Sequence, residues 1–156
     1  MSLHYRLSNI VSLCLFIIIL FLTGASVSDA QTLQNGIYTE AQAERGAEDY
    51  AARCASCHSI DLRGNSNSPS LIGLSFMFIW EGRSLGELFN KMSEEMPTED
   101  PGSLTQQSYA AILAYILKSN EFPSGDTDLA SNAEALAGIQ IISPVSYTHL
   151  TLPTKA

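Results

Sequence analysis

Cysteine is scarce in these 156 residues: there are three, at positions 14, 54 and 57. Cys54 and Cys57 lie so close that a disulfide between them would close a tight ring and stabilise little, which excludes a disulfide scaffold. Basic residues are also few, 8 against 16 acidic, giving a formal net charge of −8. A surface of that sign repels phosphate backbones and anionic lipid, so neither nucleic acid nor an acidic membrane face is expected as a partner. No strand pattern is strong, no internal repeat is visible, and there is one long apolar run, Ile10 to Leu22.

That run is shorter than the roughly 20 residues a spanning helix needs, and it follows Arg6, so residues 1–30 read as a secretory signal. Ser28-Asp29-Ala30 offers small residues at the −3 and −1 positions of a cleavage site before Gln31. An uncleaved N-terminal anchor is the alternative. Cys14 is preceded by Leu13 where a lipoprotein site needs a small residue, so it is expected to leave with the signal. The protein is then expected to be periplasmic or otherwise exported, with no membrane span after cleavage.

The mature chain reads as helical. Thr39-Glu40-Ala41-Gln42 has the form of a capping box, and alanine-rich sequence runs from it to about Cys54. Gly46 within this stretch costs a helix about 1 kcal/mol relative to Ala, and it marks either a close helix–helix approach or a merely tolerated glycine. Residues 59–75 are loop-like, with Gly64, Asn65, Asn67, Pro69 and Gly73, and Phe76 to Trp80 is a short aromatic burst. Ser84-Leu85-Gly86-Glu87 is a second capping box, opening a helix to about Glu94 that Met96-Pro97 stops. Thr105 caps the strongest helix, Gln106 to Ser119, whose stripe is Tyr109, Ile112, Leu113 and Ile116. Leu104 and Tyr109 form its hydrophobic staple, and Asn120 and Pro123 end it. The expected division is a domain at 31–123 and an arm at 124–144 packing on it. The final stretch, 145–156, resembles translated sequencing-adapter read-through and is expected to be a non-native tail.

Cys54-Ala55-Ser56-Cys57-His58 is the spacing of a c-type haem attachment site. Two thiols at i and i+3 can form thioethers with the two vinyl groups on one porphyrin edge, and the adjacent His58 then offers its imidazole to iron. Three other readings exist: a redox-active thiol pair, a zinc half-site, or chance. A thioredoxin-like thiol pair needs a βαβ setting, which is absent, and a structural zinc needs four ligands, for which only His149 in the suspect tail remains. A ligating histidine donates its other ring N–H to an acceptor, which fixes its tautomer. The sixth iron ligand has three candidates. Met77 sits in an apolar cluster, Met92 on a helix face, and Met96 in a loop from which a thioether can be presented inward.

From about Tyr38 to Pro123 the chain resembles the class I cytochrome c family. The residues that carry the likeness are Gly46 and Tyr50 before the cysteine pair, Pro69-Ser70-Leu71-Ile72-Gly73, Met96-Pro97, and the final helix with Tyr115. The resemblance implies an all-α, small cytochrome c fold of three to five helices packed around one covalently bound haem. It implies that the Pro69 carbonyl accepts from His58, that Met96 is the distal iron ligand opposite His58, and that the first and last helices cross with Gly46 against an aromatic such as Tyr115. Trp80 and Tyr115 are further haem-pocket candidates, either bonding a propionate or simply packing; Arg83 either pairs a propionate or is solvated.

Met96-Pro97 through Phe122-Pro123-Ser124-Gly125-Asp126-Thr127 is similar to the cytochromes associated with PQQ-type dehydrogenases. That likeness implies an exported dehydrogenase as electron donor and an oxidase or another cytochrome as acceptor. Glu94, Glu95, Glu99 and Asp100 around Met96 either form a solvated acidic face or steer toward a basic partner. The expected function is therefore an exported single-haem electron carrier and not an enzyme. The competing functions are a haem enzyme or gas sensor with an open sixth position, and an obligate cytochrome subunit of a dehydrogenase complex.

Overall fold

A computed structural model describes residues 32–143; the expected signal and tail lie outside the described residues. A 3₁₀ turn at Leu33–Asn35 is followed by six α-helical segments: α1 Glu40–Arg53, α2 Ala55–His58, α3 Gly73–Trp80, α4 Leu85–Glu95, α5 Gln106–Ser119 and α6 Ala133–Leu136. Two of these, α2 and α6, are single turns. No strand occurs among the described residues, although Ser84 and Gln140 form one isolated antiparallel bridge.

The caps set the helix starts. Thr39 Oγ1 accepts from the Gln42 N–H at 3.0 Å, Thr105 Oγ1 from the Ser108 N–H at 3.1 Å, and Ser84 Oγ from the Glu87 N–H at 3.1 Å. Only the last is a complete box, because Glu87 Oε2 accepts in return from the Ser84 N–H at 2.9 Å. At α1 the second half of the expected box is diverted. The Gln42 side chain turns away to Leu129, donating to its carbonyl at 3.0 Å and accepting from its N–H at 2.6 Å. A buried tertiary partner with two groups to satisfy outcompetes the local reciprocal bond.

The most extensive packing joins α1 to α5. A Cβ on Gly46 would lie 1.8 Å from the Ala111 carbonyl oxygen and 2.3 Å from its carbon, so the two backbones meet there. The aromatic pair lies one turn along each helix, with Tyr50 and Tyr115 centroids 5.4 Å apart and tilted by 54°. The inner face of α5 is buried along its length, with Leu113, Ala114 and Leu117 fully enclosed.

From α5 the chain wraps as an arm. Tyr38 donates to the Phe122 carbonyl at 2.6 Å, Asp128 accepts from Thr39 and pairs with Arg45 at 2.8 Å, and Leu129 is held by Gln42. Leu136, Ile139 and Ile141 then bury their side chains. Their backbones brace the α3–α4 junction: Leu85 N–H donates to the Ile139 carbonyl, and Gly82 N–H to that of Ile141, both at 2.8 Å.

Candidate functional site

The junction of α1 and α2 carries the Cys54–His58 motif. Cys54 ends α1, its N–H bonding the Tyr50 carbonyl at 2.8 Å, and it also begins α2. The His58 N–H bonds the Cys54 carbonyl at 2.9 Å. Two of the carbonyls that leave this short turn share one hydroxyl. Tyr50 Oη donates to the Ser59 carbonyl at 2.7 Å and lies 3.3 Å from that of His58. Burial holds the Tyr50 phenol above its ordinary range, so it remains a donor across the physiological pH range.

His58 Nδ1 lies 3.0 Å from the Pro69 carbonyl oxygen. A carbonyl only accepts, so Nδ1 carries the proton and Nε2 keeps its lone pair for a metal. Pro69 is brought within reach by a tightly tied loop. The Gly64 N–H bonds the His58 carbonyl at 2.9 Å, and Gly64 has φ +69° with a Cβ position only 2.3 Å from the Ser68 oxygen. Asn65 donates from Nδ2 to the Cys57 carbonyl at 2.7 Å, and its Oδ1 accepts from the N–H groups of Asn67 and Ser68. Asn120, at the end of α5, accepts from the Gly73 N–H and donates to the Leu71 carbonyl, both at 2.9 Å.

A cleft of about 430 Å³, predominantly apolar, brings together Cys54, Cys57, His58, Pro69, Trp80 and Met96. That is the volume of a small-molecule or cofactor site. Tyr115 and Arg83 are not among its lining residues; the Tyr115 ring packs against that of Tyr50, which does line it. Trp80 faces the cleft while the Arg83 guanidinium stacks 4.5 Å from its ring centroid and pairs with Glu87 at 3.1 Å. Of the other methionines, Met92 also lines the cleft, whereas Met77 packs against the core. Met96 follows α4 in extended conformation, its N–H on the Met92 carbonyl at 3.1 Å and its own carbonyl accepting from Tyr109 Oη at 2.6 Å.

The donor set fits a covalently held haem better than its rivals. Burial pushes the Cys54 thiol up to about 11, with Arg53 opposing the shift, so it is protonated near neutral pH. Thiols used in disulfide exchange are shifted the other way. Among the described residues no group of three or more His, Cys, Asp or Glu side chains converges to hold a metal, which leaves a structural zinc without its four ligands. An imidazole with a free Nε2, two thiols at its side and a thioether in the same apolar cleft are the groups that haem c requires.

Sequence reasoning passed over Asn65, Asn120 and the hydrogen-bonding roles of Tyr50 and Tyr109. The Gly64-Asn65 turn pair is the one local signal among them. The others act across 8 to 49 positions, and their partners are backbone groups that no side-chain pattern marks.

Residues 41–116 match the family model described as cytochrome c oxidase, cbb3-type, subunit III. No curated protein matches the chain. A crystal structure of the sulfane dehydrogenase SoxCD from Paracoccus pantotrophus aligns with 22% identity and a TM-score of 0.46, covering 76% of this chain. The chain spans 63% of the length of that relative.

Proposed function

Because this chain contains a class I c-type cytochrome domain, whose cofactor is covalently bound haem c, we propose that it is an exported carrier that accepts one electron from a dehydrogenase and passes it to a downstream acceptor. The observation that carries this reading is the shared cleft of His58 and Met96, with His58 oriented by Pro69. When bound, the haem supplies a one-electron couple between ferrous and ferric iron. Cys54 and Cys57 would hold it through thioethers, His58 Nε2 would face the iron, and the Met96 thioether would close the sixth position. A closed sixth position favours electron transfer over ligand chemistry. Apolar residues such as Leu88, Ile112 and Ile116 exclude water from the cleft. Export is supported by the signal-like residues 1–30. A quinone-cofactor dehydrogenase as donor is supported by the likeness of the Met96 to Thr127 stretch.

The test is expression with haem-maturation factors in a periplasm, followed by absorption spectroscopy and redox titration. A red-edge thioether–iron charge-transfer band in the oxidised protein is the expected result. A high-spin spectrum that shifts with carbon monoxide or peroxide would overturn the carrier in favour of an enzyme or gas sensor. Met96→Ala should abolish the band; loss on Met92→Ala instead would move the ligand one helical turn back.

One observation favours the narrower reading of an obligate subunit. Leu74 and Phe78, four apart on α3, are 90% and 93% exposed, an apolar pair of the kind that a stable partner covers. Co-purification of a dehydrogenase with the tagged protein at stoichiometric ratio separates a subunit from a freely diffusing carrier.

A further inference from the structure

The Met96 backbone is held from two sides, by α4 through its N–H and by Tyr109 of α5 through its carbonyl. Its side chain has a third neighbour. Thr98 Oγ1 lies 3.8 Å from Met96 Sδ, within the range of a hydroxyl donating to sulfur, and Thr98 itself lines the cleft. The turn that follows Met96 sets this approach: Pro97 is buried, and its carbonyl accepts from the Asp100 N–H at 2.9 Å, folding Thr98 back along the methionine.

A thioether sulfur has two lone pairs. Bonding to a metal uses one and leaves the other as a weak acceptor. We infer that Thr98 is a positioning residue for the Met96 thioether: its hydroxyl orients the sulfur toward the cleft and raises the reduction potential of the site. This rests on the reading of Met96 as the iron ligand. The sign follows from electrostatics. The positive end of the O–H dipole would point at the sulfur that ligates the iron. It therefore disfavours the ferric state, which has one more positive charge, relative to the ferrous state. It also draws electron density from the sulfur lone pairs, which weakens donation to ferric iron more than to ferrous.

Thr98→Val keeps the shape of the side chain and removes the hydroxyl, and Thr98→Ser keeps the hydroxyl and removes the methyl. Both would be made in the full haem-loaded protein and measured by redox titration and by the red-edge charge-transfer band. Thr98 is exposed, so neither variant disturbs the core. The expected result for valine is a shift of the ferric/ferrous balance of about threefold toward ferric, a fall in midpoint of about 28 mV at 59 mV per tenfold for one electron. Serine should restore most of it. Loss of the band in valine with recovery in serine would support the same role through orientation. A valine variant with wild-type potential and an intact band would overturn the inference while leaving Met96 as ligand. A band that survives Met96→Ala would overturn the ligand assignment and this inference together.

Discussion

Replacing Gly46 by alanine sets two physical effects against each other, and the structure says which should win. In an exposed helix interior the change would stabilise α1 by about 1 kcal/mol, because glycine loses more backbone freedom on folding. Here the added Cβ would stand 1.8 Å from the Ala111 oxygen, 2.3 Å from the Ala111 carbon and 2.9 Å from the Ile112 nitrogen. All three atoms are backbone, so no rotamer change relieves the clash. Ordinary contact would need α1 and α5 to part by roughly 1.5 Å, across the most extensive helix pair of the fold. Overpacking of this kind costs about 1–3 kcal/mol, and obstruction by backbone places Gly46→Ala at the upper end. Subtracting the propensity gain leaves a net loss of about 2 kcal/mol, or roughly 10 °C in melting midpoint for a domain near this size. The assay is thermal and urea denaturation of the haem-loaded protein by circular dichroism. Ala47→Gly, a half-buried neighbour on the same helix, serves as control and should cost about 1 kcal/mol by propensity alone. Propensity predicts opposite signs for the two variants, whereas close approach predicts that both destabilise. A melting point that rises or stays level in Gly46→Ala would refute the argument.

Further outcomes follow from the hydrogen bonds. Tyr50→Phe removes the one donor shared by the Ser59 and His58 carbonyls and should cost about 1–2 kcal/mol, read in the same melts. Gln42→Ala leaves the buried Leu129 N–H and carbonyl without their partner. It should lower stability by about 2–3 kcal/mol and speed proteolytic cleavage within 123–132, with an unchanged cleavage rate counting against Gln42 as the anchor of the arm. Stability should also fall at alkaline pH. Burial raises the Tyr38 phenol to about 12 from an unfolded value near 10, so the folded state keeps a proton that the unfolded state releases. The stabilisation is therefore full below pH 10 and is lost as pH rises through 12; urea midpoints should decline over that window, less steeply in Tyr38→Phe.

Much of the helical frame was legible in the sequence because helix starts are local. Thr39, Ser84 and Thr105 each cap the helix that their side chains announced, within four residues of chain. The haem motif was legible for the same reason: one turn of backbone places Cys54, Cys57 and His58 together. The short helix α3 was less legible. Its sequence, Gly73 to Trp80, is apolar on all sides, so periodicity gave no face, and its outer residues Leu74 and Phe78 stay exposed. The arm's contacts were hidden too, because Gln42 and Leu129 are 87 positions apart and the bonded groups of Leu129 are backbone.

By itself the sequence determined which cofactor chemistry the chain can support, since two thiols and an imidazole at that spacing need nothing beyond one helical turn. Only the tertiary structure decided what surrounds that chemistry. It put Met96 and Met92 in the cleft and Met77 outside it, and it packed Tyr115 against Tyr50. It also aimed the Pro69 carbonyl at His58 through a loop tied by Gly64 and Asn65. The physical reason is range. Caps and motifs are closed by neighbours along the chain, whereas a cleft is closed by elements whose distance in sequence carries no pattern until packing brings them together.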